Sequence, residues 1–177
     1  MIVTETTIPD VKVFSPSVHE DKRGFFLESF RKSWLPNCDF VQDNHSRSIK
    51  GTLRGLHYQL TRPQGKLVRV IEGSVFDVAV DIRRSSPFFG RYVSRELTAE
   101  NREIFWIPPG FAHGFLVTSE KAEFLYKCTD YYSPNDERCI RWDDSELAIA
   151  WPPETQGLLL SEKDKQAPTL AEAELYN

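Results

Sequence analysis

The chain has no apolar run near the roughly 18 residues that a membrane-spanning helix needs, so no crossing segment is expected. It has no basic excess either: the net charge of −4 offers no global attraction to nucleic acid or to an anionic membrane. A polyanionic ligand must then be met by a local cluster of Arg and Lys. Cysteine is sparse and odd in number, with Cys38, Cys128 and Cys139 forming no CxxC pair. That pattern reads as free thiols in a reducing compartment rather than a disulfide framework. The start, MIVTETTIPDV, lacks the basic and apolar regions of a signal peptide, and a cytoplasmic location is the expectation. There is no Gly-rich dinucleotide-binding loop, no internal repeat and no low-complexity linker.

What is present is alternation with a period of two. In Val75–Ile82 one face carries Phe76, Val78, Val80 and Ile82, and the other Asp77, Ala79 and Asp81. Upstream, Lys66–Ile71 reads as a second strand, and Glu72-Gly73-Ser74 as a tight hairpin turn between them. Further strands are expected over Thr52–Leu60, Tyr92–Leu97, Glu103–Ile107, His113–Thr118, Glu123–Tyr131 and Cys139–Trp142, with Pro- and Gly-containing turns between. Helix is confined to a turn or two within Leu27–Leu35, Ala99–Arg102, Ser145–Ala150 and Leu170–Leu175. Many short strands of this spacing make an all-β sandwich or barrel. Residues 1–177 are expected to form a single domain, with the C-terminal tail laid on the barrel.

Four histidines are few enough to weigh singly. His19 sits in a charged loop, and His45 follows the polar run Gln42-Asp43-Asn44. His57 lies in Arg54-Gly55-Leu56-His57-Tyr58-Gln59, and His113 in Pro108-Pro109-Gly110-Phe111-Ala112-His113. Alone, each of the last two reads as a hydrogen-bonded structural histidine. Together they resemble the two motifs of a metal-binding cupin. The second motif is intact, but Gln59 stands where the first needs another His, and Thr61–Gln64 offers no carboxylate. Two imidazoles and a neutral amide suit Zn²⁺, Fe²⁺ or Mn²⁺ poorly, so no metal is expected.

His57 and Gln59, two apart, should share a strand face, and by the same rule so should Tyr126 and Tyr132. Lys66 starts a strand just after Gly65, placing a cation at a barrel mouth. Asp164 lies in a run, Glu162–Lys165, that reads equally as solvated charge or as a segment folding back on an imidazole. Strict alternation puts Arg54 opposite His57. Either Arg54 precedes the regular strand or Gly55 marks a bulge that turns both inward. Arg23, followed by Gly24-Phe25-Phe26, is expected to be anchored beside an aromatic cluster.

Seven runs, in order and with compatible spacing, resemble the dTDP-4-dehydrorhamnose 3,5-epimerase family. They begin at Arg23-Gly24-Phe25-Phe26, Phe40–Ser46, Leu53–His57, Gln64–Arg69, Trp106–Phe115, Glu123–Lys127 and Leu160–Asp164. The resemblance implies a cupin-type jelly-roll homodimer binding a dTDP-4-keto-6-deoxyhexose without a cofactor. It implies His57 as general base, Asp164 as its orienting carboxylate, Tyr126 as acid on the opposite sugar face, and Lys66 as the cation beside the carbonyl oxygen. Arg54, His113, Glu137 and Lys163 fall where the family contacts the nucleotide sugar. Arg23, Glu28, Gln42 and Asn44 match positions supplied by the partner subunit, with Phe25 beside Arg23 as a further substrate contact; Tyr132 is left unassigned. The alternatives are a relative that inverts only C3 or C5 or shifts the ketone, a metal cupin, which Gln59 disfavours, and a non-catalytic sugar-binding cupin, which has no reason to pair His57 with Asp164.

Overall fold

A computed structural model of the chain describes residues 1–153 and 157–177. In chain order its strands are β1 (Ile2–Glu5), β2 (Lys12–Ser15), β3 (Val18–Asp21), β4 (Gly24–Leu27), β5 (Gln42–Ile49), β6 (Leu53–Gln59), β7 (Lys66–Glu72), β8 (Ser74–Asp81), β9 (Tyr92–Thr98), β10 (Ile104–Ile107), β11 (Phe111–Val117), β12 (Lys121–Cys128) and β13 (Glu137–Cys139). The described residues also hold a 3₁₀ turn at Lys32–Trp34 and a short helix, α1 (Glu162–Lys165). The strands form two antiparallel sheets, ordered β1-β2-β10-β7-β12-β5 and β13-β6-β11-β8-β9, with β3-β4 as a separate hairpin. This is the all-β jelly roll expected.

Three apolar layers result. Val68, Val70, Phe105 and Phe124 of the first sheet meet Val75, Phe111, Phe115 and Val117 of the second in the interior. Outside the second sheet, Leu56, Val78, Val80 and Ile82 are covered by Leu147, Leu170 and Ala173. Outside the first, Phe14, Leu67, Ile104 and Trp106 are covered by Phe30, Trp34, Leu35 and Phe40. With both of its faces covered, β11 is buried along its whole length. The tail is also tied by hydrogen bonds: Tyr58 Oη donates to the carbonyl of Glu174, and Tyr176 Oη to that of Gln59.

The strand β8 is oriented against intuition. Its apolar face, Val78 and Val80, is turned to the C-terminal segment rather than to the space between the sheets. Val75 and Ala79 join the inter-sheet core, and Asp77, on the same face, carries a carboxylate inside the molecule.

The expected hairpin at Glu72-Gly73-Ser74 is not one. β7 and β8 do not pair and belong to different sheets; the three residues turn a corner between them. Gly73 has φ +74°, and a Cβ there would sit 1.9 Å from the Lys121 carbonyl oxygen, so only glycine fits the corner. β12 stops at Cys128, which leaves Tyr132 in the following loop and not on the strand face of Tyr126. β1 to β5 were not anticipated as strands, and β5 is the consequential one. It is an eight-residue edge strand, polar except for Ile49, whose even positions turn inward and whose odd positions are exposed.

Candidate active site

A cavity of about 360 Å³ opens between the two sheets. β6 and β11 supply His57 and His113 to one wall; β5, β7 and β12 supply Asn44, Lys66 and Tyr126 to the other. His57 and His113 are register partners across β6 and β11. Two residues further along β11, Phe115 pairs with Arg54 rather than with residue 55, so β6 holds one extra residue there. Gly55, φ +137°, lies at this bulge, where a Cβ would come 2.5 Å from the Gly114 Cα. The bulge decides between the two geometries for Arg54: it turns Arg54 and His57 into the same cavity, with Nε and Nη2 of Arg54 donating to Ser48 Oγ at 3.2 Å.

His57 Nε2 lies 2.5 Å from Asp164 Oδ1. Asp164 is delivered by α1, whose N-cap Ser161 accepts from the Asp164 amide and donates through Oγ to Oδ2 at 2.8 Å. Burial pushes the Asp164 carboxyl up, but the His57 hydrogen bond and charge, then Ser161 and Lys163, outweigh it and hold it below the usual range. On the other side of the ring, His57 Nδ1 is 4.0 Å from Glu137 Oε1. Glu137 Oε2 pairs with Lys163 Nζ and accepts from Tyr132 Oη at 2.7 Å. Burial raises Glu137, and Lys163, Tyr132 and His57 together bring it below its ordinary value.

His113 Nε2 is 2.9 and 3.0 Å from the two oxygens of buried Asp77. Burial lowers the His113 pKa more than Asp77 raises it, which keeps the imidazole neutral near pH 7. Lys66 is half-buried, and among the described residues no carboxylate lies within salt-bridge distance of it. Burial pushes its ammonium below the ordinary lysine value, although Cys128, Glu137 and Asp77 pull the other way. Tyr126 has no hydrogen-bond partner for its hydroxyl among the described residues, and burial raises its pKa, so the phenol stays protonated. The site thus holds a carboxylate-bonded imidazole on one sheet and an intact phenol and a cation on the other.

Gln42 and Asn44 line this same cavity from the chain's own β5. This corrects the expectation that a partner subunit supplies them; the strand that carries them was missed, and their origin with it. Arg23, Phe25 and Glu28 are not in the cavity. They lie on and just after the β3–β4 hairpin, which belongs to neither sheet. Arg23 is not anchored on an aromatic cluster: its side chain is 84% exposed and its guanidinium donates to Asp21. The arginine that does stack on Phe25 is Arg102, 4.3 Å from the ring centroid. Glu28 pairs with Arg31. Asp77, Ser161 and Ser48, which seat His113, Asp164 and Arg54, were not singled out from the sequence. The alternation that put Asp77 opposite the apolar face of β8 was the one signal available.

The donor set does not suit a metal. Gln59 Nε2 donates to the carbonyls of Arg62 and Tyr131, and both histidines direct Nε2 at a carboxylate. Among the described residues no three His, Cys, Asp or Glu side chains gather in a way that would hold an ion. No helix there is long and apolar enough to cross a membrane.

A family model described as dTDP-4-dehydrorhamnose 3,5-epimerase matches residues 5–172. The dTDP-4-dehydrorhamnose 3,5-epimerase of Pseudomonas aeruginosa is 55% identical, over 99% of each chain. A dTDP-6-deoxy-D-glucose-3,5-epimerase from Legionella pneumophila, solved in complex with dTDP-4-keto-L-rhamnose, superposes with a TM-score of 0.96 at 49% identity, covering 99% of this chain and 97% of its own. A 3'-monoepimerase from Streptomyces bikiniensis, in complex with dTDP-quinovose, gives a TM-score of 0.89 at 34% identity, covering 94% and 87%. With a match that spans nearly its whole length, the chain belongs to the dTDP-4-dehydrorhamnose 3,5-epimerase family.

Proposed function

We propose that the chain inverts C3 and C5 of dTDP-4-dehydro-6-deoxyglucose to give dTDP-4-dehydrorhamnose. The observation that carries the reading is the pairing of the His57–Asp164 dyad on one sheet with Tyr126 and Lys66 on the other. A ketone at C4 acidifies the hydrogens at C3 and C5, because loss of either proton leaves an enolate whose charge rests on O4. His57, held by Asp164, takes the proton; the Lys66 ammonium stabilises the oxyanion; Tyr126 delivers a proton to the opposite face. General acid–base catalysis contributes about 10²–10⁴-fold and one oxyanion donor about 10²–10³. Together they lower the barrier by roughly 5–9 kcal/mol at about 1.36 kcal/mol per decade. Every step uses the chain's own side chains and no cofactor.

Arg54, His113, Glu137 and Lys163, with Gln42 and Asn44, are the proposed contacts to the nucleotide sugar, and their mix of cations and amides suits a diphosphate and a base. Arg23, Phe25 and Glu28 are proposed to complete the cavity of a second subunit in a homodimer. The exposure of Arg23 and the separateness of its hairpin support this. The functional setting is proposed to be the cytoplasm. The monoepimerase relative shares the fold, so the test must read each carbon separately. Incubated with dTDP-4-keto-6-deoxyglucose in deuterated water, the protein should introduce deuterium at both C3 and C5 with inversion at both. Exchange and inversion at one carbon alone would replace this reading with that of a mono-epimerase.

A further inference from the structure

Tyr132 is the aromatic residue at the cavity whose place the strand pattern does not determine. It sits in the loop after β12, half exposed, with its hydroxyl donating to Glu137. No ladder hydrogen bond holds that loop, yet glutamine side chains bond the backbone of four consecutive residues in it. Gln64 Nε2 donates to the Asp130 carbonyl at 2.7 Å. Gln59 Nε2 donates to the Tyr131 carbonyl at 3.2 Å, and Gln59 Oε1 accepts from the Ser133 amide at 2.7 Å. Gln42 Oε1 accepts from the Tyr132 amide at 2.9 Å.

Gln59 is the centre of this arrangement. It is 2% exposed, and both ends of its amide are engaged, since Nε2 also donates to the Arg62 carbonyl at 2.8 Å. Two carbonyls on one side and an N–H on the other fix which end is nitrogen. No carboxylate, imidazole or hydroxyl offers two donors and an acceptor at these positions. A metal-ligating histidine here would leave the loop without its clamp.

We infer that Gln59 is a positioning residue for substrate binding: it clamps the Asp130–Ser133 loop so that Tyr132, and through its hydroxyl Glu137, are set at the cavity before ligand arrives. The consequence is selective. The loop meets the ligand through Tyr132, and Glu137, on β13, is also held by Lys163; the His57–Asp164 pair is held by α1 and Ser161, which Gln59 does not touch. Gln59 therefore governs affinity and leaves the chemical step largely alone. The inference rests on the functional reading above, and its test separates the two.

Gln59→Met keeps length and volume and removes every polar contact. Calorimetric titration with dTDP and steady-state turnover of dTDP-4-keto-6-deoxyglucose should show Kd and KM raised roughly 10-fold or more, with kcat within about 3-fold of the unmodified protein. A double-mutant cycle with Tyr132→Ala reads whether the effect runs through the loop. The cost of Tyr132→Ala should shrink to under about twofold in the Gln59→Met background, a coupling that general loosening does not produce. Costs that simply add, or a loss confined to kcat, would overturn the clamp. Hydrogen exchange on the unmodified protein tests it without any substitution: the Tyr132 and Ser133 amides should be protected although they lie in a loop, and fast exchange there refutes the inference even if Gln59→Met fails to fold. Protected amides in a protein that neither binds dTDP nor turns over the sugar would instead remove the functional reading, and with it the role given to the clamp.

Discussion

The imidazole of His57 and the carboxylate of Asp164, 107 residues apart in the chain, meet through Nε2 and Oδ1 at 2.5 Å. The contact fixes the tautomer: with its proton on Nε2 facing Asp164, the ring presents the Nδ1 lone pair to a substrate, and a carboxylate stands ready to stabilise the imidazolium once a proton is taken.

Asp164→Asn tests that arrangement. The amide can present Nδ2 to the ring and favour the other tautomer, so kcat should fall on the order of 10²–10⁴-fold with KM little changed. The same substitution should alter acid stability. The folded pKa of Asp164 lies below its unfolded value near 3.9, so its contribution is complete above about pH 4 and is lost as pH falls through the lower folded value. Melting temperatures measured from pH 6 down to pH 3 should drop more steeply in the native protein than in Asp164→Asn. Parallel curves would mean that the carboxylate is not held as described.

Lys66 makes the opposite prediction, because its function and its burial conflict. An ammonium whose pKa is pushed down by burial destabilises the fold while protonated, and the cost is relieved as pH rises through the folded value toward the ordinary one. Lys66→Met should then raise the melting temperature near pH 7, by about 2–4 °C for each kcal/mol relieved, while kcat falls about 10²–10³-fold with the lost oxyanion donor. In the native protein the alkaline limb of kcat should set in below the ordinary lysine value of about 10.4, and Lys66→Arg should push that limb upward. An unchanged limb in Lys66→Arg would assign it to another group.

How much of this was legible in the sequence depended on where the apolar residues were. β6, β8 and β11 announce themselves because they are packed on both sides, and the His57 and His113 motifs sit on two of them. β5 did not, because its inward positions, Gln42, Asn44 and Ser46, face a polar cavity rather than a core, so no apolar period marks it. The very feature that makes β5 part of the site hides it as a strand. Adjacent strands make Glu72-Gly73-Ser74 look like a hairpin in the sequence, whereas the close approach of the Lys121 carbonyl, which belongs to a distant strand, decides that it is a corner. Asp164 and Gln59 were both visible, but their partners, Ser161 and the Tyr131–Ser133 backbone, come from tertiary placement that no local pattern encodes.

Sharing of the site between subunits gives a complementation test. If each cavity takes His57 from one chain and Arg23 from the other, a hybrid of an Arg23→Ala chain and a His57→Ala chain holds one intact cavity and one with both lesions. A random one-to-one mixture of the two dimers should regain about a quarter of native activity. Hybrids that form, as shown by mass, yet recover nothing would place Arg23 outside the partner's cavity.

Tyr126 and His57 should fail in different ways. His57→Ala should abolish both inversion and exchange of the C3 and C5 hydrogens with deuterated water, since no enolate forms. Tyr126→Phe keeps the base and the Lys66 cation. An enolate still forms and is returned a proton by His57 on the face it left, so deuterium enters the substrate while inversion falls by about 10²–10⁴-fold. The ring itself packs against the interior core and lies 5.9 Å from Phe124, so losing only the hydroxyl disturbs little of that packing. A structural role for the hydroxyl would give a different signature, with exchange and inversion falling together and modestly. Inversion by Tyr126→Phe at near the native rate would remove Tyr126 from the mechanism. Tyr132, whose hydroxyl is engaged by Glu137, is the next phenol along the cavity wall. It could donate a proton to the sugar only by giving up that bond, so Tyr132→Phe should leave the ratio of exchange to inversion unchanged.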